Sequence, residues 1–262
     1  MSLAPRKLRI GHMPYLNSEV FYRAMPPGYC ELTTMPPRAM AAAVERGELD
    51  GGPLPVAEVM RMGENVRAVG ELGVACHGAA LSVILFSEVP STELDNERIA
   101  VTAETATSVQ LVRVLASDKW HVNPVLVGQG EPARARLVIG DDALEMKNRA
   151  LWPHTYDLGE EWRSLTGLPF VFAVWAMRSD LSEVQIEEFE TVLKDAYCEG
   201  RQMVNEIAAS RANSYIAADQ ASAYIRHFTY TIGAAELNGI QEFRERLARL
   251  PEWRPESVSA SV

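Results

Sequence analysis

The sequence predicts an α/β protein of two lobes, each a mostly parallel sheet flanked by helices, joined by two hinge strands. Two observations carry that prediction. Short apolar runs bounded by turn residues alternate with stretches of helical period through the first two thirds of the chain, the pattern of βα units. Two unusually apolar runs, Leu81-Ser82-Val83-Ile84-Leu85-Phe86 and Phe170-Val171-Phe172-Ala173-Val174-Trp175-Ala176, bracket a block large enough for a lobe of its own. If the chain leaves the first lobe after Phe86 and returns near Trp175, lobe one comprises residues 1–87 and 176–262 and lobe two residues 88–175.

In order, the expected strands are Lys7 to Gly11, Cys30 to Thr34, Ala68 to Ala75, Ala80 to Ser87, Arg98 to Thr102, Asn123 to Val127, Arg136 to Gly140 and Pro169 to Met177. Helices are expected at Ser18 to Met25, at Pro37 to Arg46 before Gly47, at Pro55 to Met62 before Gly63, and at Thr107 to Ser117. A short helix begins near Glu160-Glu161-Trp162, where acidic residues suit the first turn. The last third changes character. Ser182 with Gln185 forms a capping box, and Ile186, Phe189, Val192, Leu193, Ala196, Met203 and Val204 recur at intervals of 3 and 4, which predicts one long helix. Asp219 is placed to cap a further helix through His227, Gly233 to Leu250 reads as the last one, and the tail after Trp253 is expected to fray.

Composition narrows the function. Of 262 residues 47% are hydrophobic and 23% charged, which excludes a disordered chain, and no apolar run is long enough to span a membrane. The balance of 35 acidic against 25 basic residues, a net charge of −10, argues against a nucleic-acid partner. The first residues lack the apolar core of a secretion signal, which predicts a cytoplasmic protein. Cys30, Cys76 and Cys198 are odd in number and in no CxxC spacing, so reduced and mostly buried thiols are expected. His12, His77, His121, His154 and His227 form no zinc spacing, and no GxGxxG or Walker motif cradles a nucleotide; neither metal nor cofactor is expected.

Two loops carry the candidate chemistry. His12-Met13-Pro14-Tyr15-Leu16-Asn17-Ser18 joins a strand to a helix, and Thr102-Ala103-Glu104-Thr105-Ala106-Thr107-Ser108 does so in the other lobe. Amides and hydroxyls beside the free N–H groups of a helix N-terminus suit a carboxylate without needing a cation. For Asn17 plain N-capping is the readier explanation from spacing alone, and for the hydroxyl cluster capping serves equally well. Ser82 is polar within an apolar strand, either satisfied by nearby backbone or a donor at a cleft wall; no GxSxG elbow surrounds it. Asp141 and Asp142 open a helix, and capping explains one of them more simply than a metal. The substrate-binding set expected from these segments is Tyr15, Ser18, Thr105, Ala106, Thr107, Ser108 and Asp142, and any anion must be attracted locally against the field of an acidic protein.

Taken in order, Arg9-Ile-Gly-His-Met-Pro-Tyr-Leu-Asn17, Gly47-Glu-Leu-Asp50 with Pro55-Val-Ala-Glu58, Ser82-Val-Ile-Leu-Phe-Ser87, Thr107-Ser108 before Leu111, Ile139-Gly-Asp-Asp-Ala-Leu144, Tyr156-Asp-Leu-Gly-Glu-Glu-Trp162 and Leu165-Thr-Gly-Leu-Pro-Phe-Val-Phe-Ala-Val-Trp175 resemble the chorismate dehydratase family of the futalosine route to menaquinone. The sequence departs from the family's pattern at Gly51-Gly52-Pro53, where a regular apolar strand is expected, and at Met13-Pro14. The resemblance implies a type 2 periplasmic-binding-protein-like fold, loss of water from chorismate to give 3-[(1-carboxyvinyl)oxy]benzoate, no cofactor, and Asn17 and Ser82 as the catalytic pair. It leaves the base open between a protein group and the substrate's own enolpyruvyl carboxylate. Two other readings stand beside it: a sister enzyme of the 1,4-dihydroxy-6-naphthoate synthase type, against which the Tyr-Leu-Asn and Phe-Ala-Val-Trp motifs speak, and a non-catalytic small-molecule-binding protein.

Overall fold

The computed structural model describes residues 6–149, 151–251 and 253. The expected fraying after Trp253 therefore lies outside the described residues. The chain runs β1 (Arg9–His12), a 3-10 helix (Leu16–Phe21), β2 (Glu31–Thr34), α1 (Pro37–Glu45), β3 (Gly51–Pro55), α2 (Val56–Met62), β4 (Val66–Cys76), β5 (Val83–Ser87), β6 (Arg98–Val101), α3 (Thr107–Leu115) and a π-helical turn (Ala116–Trp120). It continues through β7 (Val125–Gly128), β8 (Ala135–Ile139), α4 (Gly140–Asn148), β9 (His154–Asp157), α5 (Leu158–Thr166), β10 (Phe170–Arg178), α6 (Glu183–Gln202), α7 (Val204–Arg211), α8 (Ala218–His227), β11 (Thr229–Thr231) and α9 (Ala234–Arg249).

The strands form two sheets, of order β11-β4-β10-β3-β1-β2 and β7-β6-β8-β5-β9. Both are mixed rather than mostly parallel. β1 pairs in parallel with β2 and β3, but β10 runs antiparallel to both β3 and β4, and β11 antiparallel to β4. In the second sheet β6 is parallel to β7 and β8, while β5 is antiparallel to β8 and β9. For β5 and β10 the cause is the exchange of chain between sheets: each arrives from the other sheet and enters against the direction of its neighbours.

The passages also fall elsewhere than expected. β5 belongs wholly to the second sheet and β10 wholly to the first, so the chain passes between sheets at residues 77–82 and 158–169. The apolar character of residues 81–86 and 170–176 reflects strands buried on both faces, not strands shared between lobes.

Three further differences have local causes. Gly51–Pro55 is a strand because its glycines let other groups approach: a Cβ on Gly51 would sit 2.6 Å from the Ala176 carbonyl oxygen, and Met40 Sδ would lie 2.8 Å from one on Gly52. An ordinary apolar strand could not pair with β10 and lie under Met40. The long C-terminal helix is two helices, broken at Met203 (φ −90°, ψ 10°), whose N–H turns to the Glu199 and Gly200 carbonyls. Helix α8 starts at Ala218, with Gln220 accepting the Ala217 N–H at 3.0 Å, so Asp219 lies inside the first turn and does not cap it. Ser182 and Gln185 do form the capping box of α6. Cys76 is buried and Cys30 half-buried, but Cys198 is exposed on α6.

Aromatic packing fixes the C-terminal helices on the first sheet. Trp175 of β10 meets Phe21, Tyr22 and Phe189 at centroid distances of 5.4–5.9 Å, and Phe21 also meets Tyr230. Trp162 of α5 is fully buried against Phe170 and Phe243, and its indole N–H donates to the Pro169 carbonyl. Among the described residues no helix is long and apolar enough to cross a membrane.

Candidate active site

The carboxyl ends of β1, β2, β3, β6 and β8 all open toward one cavity between the sheets, the position where open α/β sheets bind ligands. Together with its mouth, which is open to solvent, it spans about 530 Å³. Met13 and Tyr15 follow β1, Pro37 follows β2, and Pro55 ends β3. From the second sheet come Thr105, Thr107 and Ser108 after β6 and Ile139 and Gly140 at the end of β8; Val74, Ser82, Phe172 and Phe228 complete much of the wall.

Six of the nine expected site residues meet here: Tyr15, Asn17, Ser82, Thr105, Thr107 and Ser108. Every residue lining the cavity is formally neutral. Most of the wall is apolar and Asn17 and Ser82 are buried, so the few polar groups act where water screens them weakly.

Asn17 is the second residue of the 3-10 helix, not its cap; Tyr15 holds that position and makes no side-chain capping bond. The Ser18 hydroxyl, fully buried and outside the cavity, lies 3.2 Å from both Asn17 Oδ1 and Met13 Sδ as acceptors, and the Asn17 amide N–H groups are left for the cavity. Ser18 is thus not among the groups lining the cavity and stands behind Asn17.

Thr105 caps the first turn of α3, whereas Thr107 reaches across to the opposite wall. Thr107 Oγ1 accepts the Ala57 N–H at 3.2 Å from the opposite wall, and Thr105 Oγ1 accepts the Ser108 N–H at 3.2 Å. Each hydroxyl keeps its own proton to donate. Ala106 occupies the N-cap of α3 with its side chain buried away from the cavity.

Asp142 is exposed on α4 and turned away, whereas its neighbour Asp141 faces the first sheet. Asp141 accepts from Leu16 N at 3.3 Å and from Arg211 Nη2 at 3.0 Å. With two adjacent carboxylates opening a helix, only helical phase decides which one faces inward, and a one-residue error turns the side chain by about 100°.

Other contacts close the cavity. The Tyr15 hydroxyl donates to Glu104 Oε2 at 2.9 Å, and Arg38 N donates to the Glu104 carbonyl at 2.9 Å. Burial and the Glu104 carboxylate both raise the Tyr15 phenol, so it stays protonated as that donor. Gly140, at φ +65°, is required by this closure: a Cβ there would lie 2.7 Å from the Tyr15 ring.

Two residues escaped the sequence reading. Phe228 lines the wall, and Tyr224, one helical turn before it on α8, places its hydroxyl 2.6 Å from Ser82 Oγ. Ser82 therefore has a side-chain partner rather than the backbone one its strand setting suggests. Both aromatics lie in an apolar helical stripe some 140 residues from Ser82, and nothing local marks them. His12 stands off the cavity, its Nδ1 2.9 Å from Thr34 Oγ1, and burial lowers its pKa. Among the described residues no three His, Cys, Asp or Glu side chains gather as a metal site.

Comparison with known proteins follows the same lines. A chorismate dehydratase of Thermus thermophilus is 28% identical over 206 residues, covering 68% of this chain and 72% of that one. Protein AF1704 of Archaeoglobus fulgidus superposes with a TM-score of 0.75 at 18% identity, over 92% of this chain and 97% of that one. The alkanesulfonate-binding protein of Xanthomonas axonopodis pv. citri, solved with MOPS bound, superposes with a TM-score of 0.63 at 14% identity, over 94% and 93% of the two chains. The fold is thus that of the two-lobed periplasmic binding proteins, here with a neutral cavity between the lobes. Residues 8–249, which include every group lining that cavity, match the menaquinone biosynthesis family, and it is to this family that the chain belongs.

Proposed function

We propose that the protein is a lyase that dehydrates chorismate to 3-[(1-carboxyvinyl)oxy]benzoate. The observation that carries this reading is the meeting of Asn17 and Ser82, brought from separate segments 65 positions apart, on one neutral cavity in a member of the menaquinone biosynthesis family. The 28% identical relative bears the name of this activity.

The chemistry suits so sparse a wall. The proton lost from chorismate sits on the ring carbon that bears the enolpyruvyl ether and is conjugated through a double bond to the ring carboxylate. Its removal gives a delocalised dienolate; expulsion of the neighbouring hydroxyl as water then makes the ring aromatic, which supplies the driving force. What remains for the protein is to hold two carboxylates, donate to oxygens where charge gathers, and keep bulk water out. Asn17 Nδ2 and the Ser82, Thr105, Thr107 and Ser108 hydroxyls are the available donors. Since the lining residues include no Lys, His, Asp or Glu, the substrate's enolpyruvyl carboxylate takes the ring proton in this mechanism and returns it to the departing hydroxyl, which leaves as water. A cytoplasmic setting goes with it.

Purified protein incubated with chorismate alone tests the proposal. Appearance of the benzoate chromophore without added metal or cofactor is the expected result. Tight binding without turnover would replace it with a binding protein, and no interaction with chorismate would refute it.

A further inference from the structure

Ser82 and Tyr224 form an isolated hydroxyl pair in the wall of the cavity. Their oxygens are 2.6 Å apart, Ser82 is 2% exposed and Tyr224 4%, and among the described residues each hydroxyl has the other as its side-chain hydrogen-bond partner. Ser82 lines the cavity and Tyr224 stands behind it, on α8, with its ring edge-on to Phe228 at 5.1 Å. One bond joins two hydroxyls, so only one proton is used in it, and which residue gives that proton decides what Ser82 offers to a ligand.

A phenol is a stronger donor than an alkanol, and a short bond between two buried hydroxyls is best made with the phenol donating. Burial holds the Tyr224 phenol protonated by raising its pKa. If Tyr224 gives its proton, Ser82 Oγ is satisfied as acceptor and its own O–H is free toward the cavity. With the roles reversed, Ser82 would present only lone pairs there, which repel a carboxylate or an enolate.

We propose that Tyr224 is a positioning residue that donates to Ser82 Oγ and so commits the Ser82 proton to an anionic oxygen of the substrate. This extends the dehydratase reading above, on which its kinetic part rests. Tyr224 does not touch the substrate; its effect passes through Ser82.

The experiment is a double-mutant cycle with chorismate. Y224F keeps the ring and its contact with Phe228, so the variant folds, and kcat is expected to fall about tenfold with KM within about twofold, the worth of one hydrogen bond felt mainly in the transition state. In an S82A background the same Tyr224→Phe change is expected to cost nothing further. An equal loss in both backgrounds, or no loss in either, overturns the proposal. A second measurement needs no turnover: in protein labelled at tyrosine 13Cζ, the resonance absent from Y224F belongs to Tyr224, and it should carry the downfield shift of a donating phenol and lose it in S82A. A Tyr224 resonance without that shift, or unchanged in S82A, overturns the donor assignment. Wild-type protein inert toward chorismate would refute the dehydratase reading alone, with the resonance still deciding the pair.

Discussion

The carboxylate of Asp157 grips the backbone of Leu81: Oδ2 accepts the Leu81 N–H at 2.7 Å while Oδ1 accepts that of Ala80 at 2.7 Å. Asp157 ends β9 and caps α5 through Gly159 N and Glu160 N, so one side chain ties together both passages between the sheets. Leu81 sits at φ +65°, a conformation that costs a branched residue on the order of 1–3 kcal/mol and persists only where the surroundings impose it. The next residue is Ser82. Asp157 therefore holds the turn that delivers Ser82 to the cavity.

From this, D157A should lose about 4 kcal/mol of stability, a helix cap of about 1 plus about 1.5 for each charge-assisted bond to the two further, part-buried N–H groups. It should also lose turnover in conditions where it remains folded, because Leu81 relaxes and Ser82 turns. Urea unfolding read alongside kcat checks both. A variant destabilised by that amount yet fully active would show that Ser82 is held by something else.

Removing either proposed donor tests the site directly. N17A and S82A should each lower kcat by about 10²–10³, the usual effect of losing one donor to a developing oxyanion, while both stay folded; S82A should melt a few degrees lower because it leaves the buried Tyr224 hydroxyl without its side-chain partner. S18A should give a smaller fall than N17A, since it frees the Asn17 amide to rotate but leaves it in place. Steady-state kinetics on the three proteins orders them, and an S18A loss equal to that of N17A would mean that Ser18 itself meets the substrate.

Much of this was legible in the sequence, for physical reasons that also mark where legibility ends. The loops at 12–18 and 102–108 are strand-to-helix junctions, where chain direction alone brings backbone and polar side chains to a cleft, and most of their candidates do reach the cavity. Ser18 and Asp142 miss because a helix places neighbours on different faces, and the phase within a first turn is not written in residue type. β3 was missing from the expected strands because Gly51-Gly52-Pro53 lacks the apolar run of an ordinary strand, and only the close approach of β10 and Met40 explains why glycines build one here. Tyr224 and Phe228 were hidden more deeply: their contacts with the site are tertiary, and an aromatic at helical spacing is ordinarily core. The net charge of −10, awkward for an anionic substrate, ceases to be so once the cavity wall proves neutral.

Asp50 gives a prediction for pH. Its side chain is wholly buried beside β1; burial alone would raise its carboxyl, but hydrogen bonds from Arg6, Arg9 and the Arg9 N–H outweigh that and bring it to about 2. A folded pKa below the unfolded value of about 3.9 means a contribution present in full above that value and lost as pH falls from about 4 toward 2. The shift corresponds to roughly 2–3 kcal/mol. D50N should therefore be less stable than the wild type at pH 7, and the gap should close on acidification. Chemical unfolding at pH 7 and pH 3 measures it; a gap independent of pH would assign the loss to packing instead.

Arg211 binds the two lobes across the cavity's flank. Its Nη1 meets Glu19 Oε1 at 2.7 Å, and its Nη2 meets the Pro14 carbonyl at 2.8 Å and Asp141 Oδ2 at 3.0 Å, so it joins α7 and the loop after β1 to the start of α4 in the opposite lobe. With Tyr15 to Glu104 and Leu16 N to Asp141, it favours the closed arrangement. These groups are a quarter to a third exposed, so water screens them and each ion pair is worth about 1 kcal/mol or less. R211A should therefore shift the population of closed molecules without abolishing closure, raising KM by roughly fivefold and leaving kcat nearly unchanged, because substrate bound in the cleft still draws the lobes together. The substrate-free variant should show a larger radius of gyration in solution scattering than the wild type, and saturating substrate should bring the two together. A fall in kcat at unchanged KM would instead place Arg211 in the chemistry, which its position outside the cavity wall argues against.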